Sequence, residues 1–125
     1  MHRRRASALG LALTLGLAAQ PLAADPAHVL QARAAPDGAG TWTFHVTLVH
    51  ADSGWDDYAD AWRVELPDGR QLGTRVLLHP HVTEQPFTRS LSGVSLPEGT
   101  AQLLIRTRTT VEGWAATPFA MAVAR

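Results

Sequence analysis

The chain of 125 residues contains no cysteine, no lysine and no asparagine. Without cysteine there is no disulfide framework, thiolate nucleophile, iron–sulfur cluster or zinc finger. Without asparagine there is no N-glycosylation acceptor. All basic residues are arginine, and the 11 of them balance 11 Asp and Glu to a formal net charge of zero. The basic excess of a nucleic-acid-binding protein is therefore missing. What the chain does have is 46% hydrophobic residues, too many for a disordered or collagen-like polymer. Its length suits one domain, or one domain with a processing segment.

The first residues have the layout of an export signal. Met1-His2-Arg3-Arg4-Arg5 is a basic head, the run from Ala6 to Ala19 is apolar, and Gln20-Pro21-Leu22-Ala23-Ala24 is a turn-forming tail. This pattern predicts a signal peptide over 1–24, cleaved after Ala24, and a periplasmic or secreted product. The apolar run is shorter than the roughly 18–20 residues that span a bilayer. No membrane anchor is expected after cleavage, and no cysteine follows the run to carry a lipid. Removing Arg3, Arg4 and Arg5 leaves 8 arginines against 11 acids, a net charge of −3 over residues 25–125. A domain of this size buries roughly 65% of its unfolded surface.

Beyond residue 24 the chain reads as strands and turns. From Thr41 to Val49 polar and apolar residues alternate, with Trp42, Phe44, Val46 and Leu48 on one face and Thr43, His45 and Thr47 on the other. That period of two marks a half-buried strand. Trp62, Val64 and Leu66 alternate with Arg63 and Glu65 in another. A strand from Gln71 to Leu78 has Leu72, Thr74, Val76 and Leu78 in phase. The Ser-rich run from Phe87 to Leu96 reads as an edge strand. Leu103, Ile105 and Thr107 mark a further strand, and His28–Ala35 and Phe119–Ala124 complete the set. Seven short strands separated by Pro/Gly turns predict an all-β fold, a single antiparallel β-sandwich of immunoglobulin or fibronectin type over 25–125. A small closed barrel is the alternative.

Consecutive antiparallel strands send alternate connections to the same end. The connections 36–40, 67–70 and 97–100 are plain turns of Pro, Asp, Glu and Gly. Those at 50–60, 79–86 and 110–117 hold His50, Asp52, Trp55, Asp56, Asp57, Tyr58, Asp60, His79, His81, Glu84, Glu112 and Trp114. One end is therefore loaded with chemistry, as loops on a rigid scaffold often are.

Two chemistries suit that end. His79-Pro80-His81 projects two imidazoles to one side of an extended backbone, which Pro80 favours. His50-Ala51-Asp52 has the same spacing on a neighbouring loop. His50, His79 and His81, with Asp52 or Glu84 and Glu112 completing the shell, suit a divalent first-row metal, Cu(II) or Zn(II). The same residues also suit hydrogen-bonded structural groups. The second chemistry is recognition without a metal, with Trp55, Tyr58 and Trp114 binding a glycan or a partner protein. Asp52, Asp56, Asp57 and Asp60 do not follow calcium-loop spacing, because Gly54 falls at the wrong place. His45 reads as structural, His28 has no assigned role, and Arg75 and Arg89 read as surface partners of loop acids. No Gly-x-Ser-x-Gly elbow accompanies Ser90 or Ser92, and no enzyme is expected. A hydrolase using metal-bound water is the least favoured reading.

The strings His50-Ala51-Asp52-Ser53-Gly54-Trp55-Asp56-Asp57-Tyr58-Ala59-Asp60, Leu72-Gly73-Thr74-Arg75-Val76-Leu77-Leu78-His79-Pro80-His81 and Glu84-Gln85-Pro86-Phe87-Thr88-Arg89-Ser90-Leu91-Ser92-Gly93-Val94 together resemble a group of small exported bacterial β-sandwich proteins. The resemblance spans about residues 44–113 and implies no activity. Similar chains carry His at the position of Asp57 and near Glu112, so it implies the exchange of one metal donor for another.

The expected reading is thus an exported metal-binding protein with a His/carboxylate site, or a recognition module, whose partners are a metal ion or another periplasmic protein.

Overall fold

The computed structural model describes residues 25–124, and the signal segment expected over 1–24 lies outside them. The described chain is all-β. Its strands are β1 (His28–Pro36), β2 (Trp42–Val49), β3 (Ala59–Glu65), β4 (Gln71–Val76), β5 (Phe87–Val94), β6 (Gln102–Thr109), β7 (Gly113–Trp114) and β8 (Phe119–Ala122). One sheet has the order β1-β2-β5; the other runs β4-β3-β6-β7, with β8 also on β6. All pairings are antiparallel. Two facing sheets make a sandwich, not a closed barrel. β4 pairs with β3 and not with β5, which departs from the constant-type immunoglobulin arrangement.

The alternation of β2 holds without fault: Phe44, Val46 and Leu48 are fully buried. They meet Trp62 and Val64 of β3 and Leu103 and Ile105 of β6 in one core. The opposite face of β2 is a polar ladder onto β5. Thr43 Oγ1 donates to Ser92 Oγ (3.1 Å), Thr47 and Thr88 share a hydroxyl bond (2.7 Å), and Ser90 Oγ bonds His45 Nδ1 (2.8 Å). β5 is an edge strand, as its composition suggested.

Three expectations are corrected. There are eight strands, because Gly113–Trp114 pairs briefly with Arg108 and Thr109. β3 begins at Ala59, three residues before the predicted start. β4 ends at Val76, and its phase differs from the expected one. A bulge sets Val64 against Gly73 but Glu65 against Gln71, leaving Leu72 as the extra residue. The extra residue shifts parity, and a shift of one turns every later side chain over. Gly73 and Arg75 therefore share the inner face with Val64 and Trp62, while Val76 and Leu78 are exposed. Gly73 suits its place because a Cβ there would sit 3.1 Å from Leu91 Cδ2 and 3.5 Å from Val94 Cγ2, across the sandwich on β5.

Glu65, placed on the polar face by its period, is 1% exposed. Arg63 and Arg106 enclose it, with Arg106 Nε 2.9 Å from Oε2 and Arg106 Nη1 also donating to Ala115 O at 2.6 Å. Burial alone would raise its pKa, but hydrogen bonds from Arg106 and Arg63 outweigh that and hold it below the usual carboxylate value.

Candidate functional site

The connections 50–58, 77–86 and 110–112 meet at one end of the sandwich. Leu77 N–H donates to Asp60 O (2.9 Å) and Thr110 N–H to Tyr58 O (3.0 Å). Gln85 ties the first two connections together: its Oε1 accepts from His50 N–H (3.0 Å) and its Nε2 donates to His81 O (2.9 Å). The opposite end is economical, as read from the sequence. Asp37 accepts from Ala39 N–H and Thr41 Oγ1, and Asp68 accepts from Arg70 N–H.

Asp52 is the hub of the loaded end. Its carboxylate is fully buried and accepts from His50 Nδ1 (2.5 Å), Ala59 N–H (2.9 Å) and His81 N–H (2.8 Å). Charge-assisted bonds of this kind offset the cost of burying a carboxylate. The expected convergence of His50, Asp52 and His81 is present, and the contact is a hydrogen-bonded strut.

His81 is buried, its ring stacked on Phe87 with centroids 4.0 Å apart and planes 9° apart. Its Nε2 lies 2.8 Å from Arg89 Nη2. A guanidinium only donates, so Nε2 must be the acceptor and the neutral ring carries its proton on Nδ1. Nδ1 has no hydrogen-bond partner and lies 4.0 Å from Asp52 Oδ2. Burial, then the charges of Arg89 and His79, lower the His81 pKa below its usual value, against the opposing pull of Glu84 and Asp52.

The six residues assigned to a metal shell do not form one ligand set. Asp52 and both nitrogens of His50 have hydrogen-bonding neighbours, and His81 Nε2 is taken by Arg89. His79 is exposed, its ring centroid 4.6 Å from that of His81 and its Nδ1 2.9 Å from Pro80 O. Glu84 accepts from Arg89 (3.0 Å), and Glu112 is exposed on the 110–112 connection, its N–H donating to Thr109 Oγ1. Among the described residues, no group of three or more His, Cys, Asp or Glu is arranged to hold a metal ion.

The three aromatic candidates also separate. Trp55, 67% exposed, meets Tyr58 edge-on with centroids 5.6 Å apart. Trp114 lies on the sheet, with the Arg63 guanidinium 3.9 Å from its ring centre.

Sequence reading missed three features of this end. Arg89 supplies the proton donor to His81 where only a surface ion pair was expected. His28, left without a role, lines a cavity of about 260 Å³ with Asp25, Pro26, Val49, His50, Ala51 and Asp57. The third is an apolar crown. Of the large hydrophobic side chains exposed among the described residues, Trp55, Leu78, Val82 and Val111 lie on the connections of this end, Val76 closes β4 beside them, and Leu30 lies near the start of β1. The missed phase of β4 hid two of them. A larger cavity of about 400 Å³ opens beside the start of β1 and has a mostly apolar wall, with His28 its one titratable group.

No family model matches the chain, and no solved structure matches it. A stretch of 71 residues is 48% identical to a Halomicrobium mukohataei protein named "Putative lipoprotein", covering 57% of this chain and 34% of that protein. The chain thus spans about a third of the length of the curated relative it matches.

Proposed function

We propose that the protein is an exported recognition module that grips a partner protein with the loops at the loaded end of its sandwich. The observation that carries this reading is the exposure of Trp55, Leu78, Val82 and Val111 on the connections of one end, with Val76 closing β4 beside them. Apolar surface left in water is worth about 25 cal/mol per Å² when covered, and such patches mark interaction sites. Export is supported by the basic and apolar N-terminal segment and by the name of the relative.

The chemistry favours a protein over a glycan. Four of the five crown residues are aliphatic, Trp55 meets Tyr58 edge-on so the pair offers no flat platform, and Trp114 is covered by Arg63. The connections 50–58, 77–86 and 110–112 present Asp56, Asp57, Glu84 and Glu112 wholly or partly to solvent and contain no arginine. The partner segment should therefore present aliphatic or aromatic side chains flanked by basic ones.

A peptide library selected on the purified protein tests this. Enriched peptides should combine apolar and Lys/Arg residues. Leu78→Ser with Val82→Ser should weaken them at least about tenfold, near 1.4 kcal/mol, with the unfolding temperature unchanged. Peptides that bind this double variant equally well, or selective binding of glycans lost in Trp55→Ala alone, would overturn the reading.

A further inference from the structure

Among the described residues β4 ends its sheet, with β3 on one side and no strand paired on the other. Its register with β3 sets Gly73 against Val64 and Arg75 against Trp62, and it continues one residue past the strand, where Leu77 N–H donates to Asp60 O at 2.9 Å. In an antiparallel pair, backbone groups point to alternate sides. Gly73, Arg75 and Leu77 therefore bond toward β3, and Thr74, Val76 and Leu78 turn their N–H and C=O to the open edge. The side chains of the same three residues lie in water, with Val76 57% and Leu78 79% exposed. None of the three is charged. The bulge residue Leu72 lies toward the plain end, so this stretch stays regular. Both edges of the other sheet are blunted in ways that discourage pairing. β1 has an extra residue at Leu30, an exposed Arg33 and a terminal Pro36, and β5 has an extra residue between Leu91 and Val94 and carries Arg89.

We propose that the partner protein is held as an added strand, an extended segment whose backbone pairs with Thr74, Val76 and Leu78. This rests on the partner-binding reading above and states how that site takes its ligand. Main-chain bonds to the edge supply affinity, and alternate side chains supply specificity. Every second side chain of the segment lies beside Val76 and Leu78, so those positions should be aliphatic. The chain after Leu78 leads to the exposed Val82, so the edge and the apolar connections form one surface. Asp56, Asp57, Glu84 and Glu112 at that end favour Lys or Arg where the segment passes the loops. A second copy of this chain fits less well. Two β4 strands paired antiparallel point their loaded ends in opposite directions, which leaves Trp55, Val82 and Val111 of both copies in water.

Titration of the purified protein with the capped peptide acetyl-Lys-Val-Thr-Val-Thr-Val-Lys-amide tests the added strand. At saturation, amide hydrogen exchange at Thr74, Val76 and Leu78 should slow about tenfold, while Leu77, already bonded to Asp60, keeps its rate. Two further peptides carry N-methyl groups on the Val residues only or on the Thr residues only. One of them should lose about tenfold in affinity and the other should bind as before, because only alternate amides face β4. Val76→Pro removes an N–H that points away from β3, so it should weaken the parent peptide as much while the unfolding temperature holds. Equal affinity of the two methylated peptides, unchanged exchange at the three amides, or no binding of the parent peptide below about 1 mM would overturn the added strand. If Leu78→Ser with Val82→Ser still weakens library-selected peptides, the partner site survives that result. Edge protection that persists in this double variant at unchanged affinity would instead sink the apolar-loop reading.

Discussion

His50 Nδ1 lies 2.5 Å from Asp52 Oδ1, and both side chains are shut off from water. The other oxygen of the same carboxylate holds the backbone of His81, 29 residues further on. One buried charge thus joins the connection after β2 to the connection after β4.

Replacing Asp52 with alanine should cost about 3–5 kcal/mol, because three donors lose their acceptor in a closed space. Urea unfolding checks this. A loss under about 1 kcal/mol would mean that water or another group takes the place of the carboxylate.

His81 should make stability depend on pH in the neutral range. Its folded-state pKa lies below the usual value of 6.5, so the folded state resists protonation and the unfolded chain does not. The stabilisation is fully present above about pH 6.5 and declines as pH falls toward the lower folded value. Protonation also removes the acceptor that Arg89 uses. Urea midpoints should fall between pH 7 and pH 5.5, and His81→Gln should flatten that part of the profile. An unchanged slope in the variant would assign the effect to another group.

Glu65 acts in the acid range. Its pKa is held low by Arg106 and Arg63 in spite of burial, so its contribution is complete above about pH 4.3 and is lost as pH falls through the depressed folded value. Glu65→Ala should cost roughly 3 kcal/mol at pH 7 and much less at pH 2.5. Equal losses at both values, measured by thermal unfolding, would show that packing and not charge is what the substitution removes.

Gly73→Leu should destabilise by about 1–3 kcal/mol, since the new side chain enters the closed edge between β4 and β5 against Leu91 and Val94. Trp55→Ser, at an exposed position, should change stability by no more than about 0.5 kcal/mol. The contrast between the two, read from denaturation midpoints, separates a packing position from a surface one.

Much of this was legible in the residues. The period of two in Trp42–Val49 announced a buried face that the core of Phe44, Val46 and Leu48 occupies. Turn chemistry at Pro67-Asp68-Gly69 and Pro97-Glu98-Gly99 sorted plain connections from loaded ones, and that sorting brought His50 and His81 to one end. The phase of β4 was not legible, because a single bulge residue, Leu72, reverses the faces after it. Nor was the burial of Glu65, since its cover comes from Arg106, 41 residues away.

Alternation and turn residues are local properties, so the chain alone determined that it would form short strands, where the plain turns between them would fall, and which end would gather histidines and acids. Which atoms then face one another is a long-range matter. Only the packed sheets decided that Asp52 would be spent on a proton and two amides, that His81 would accept from Arg89, and that His50 Nε2 would meet Asp25 O. Hydrogen-bond partners depend on separations of a few tenths of an ångström between residues far apart in sequence, and no local pattern encodes those.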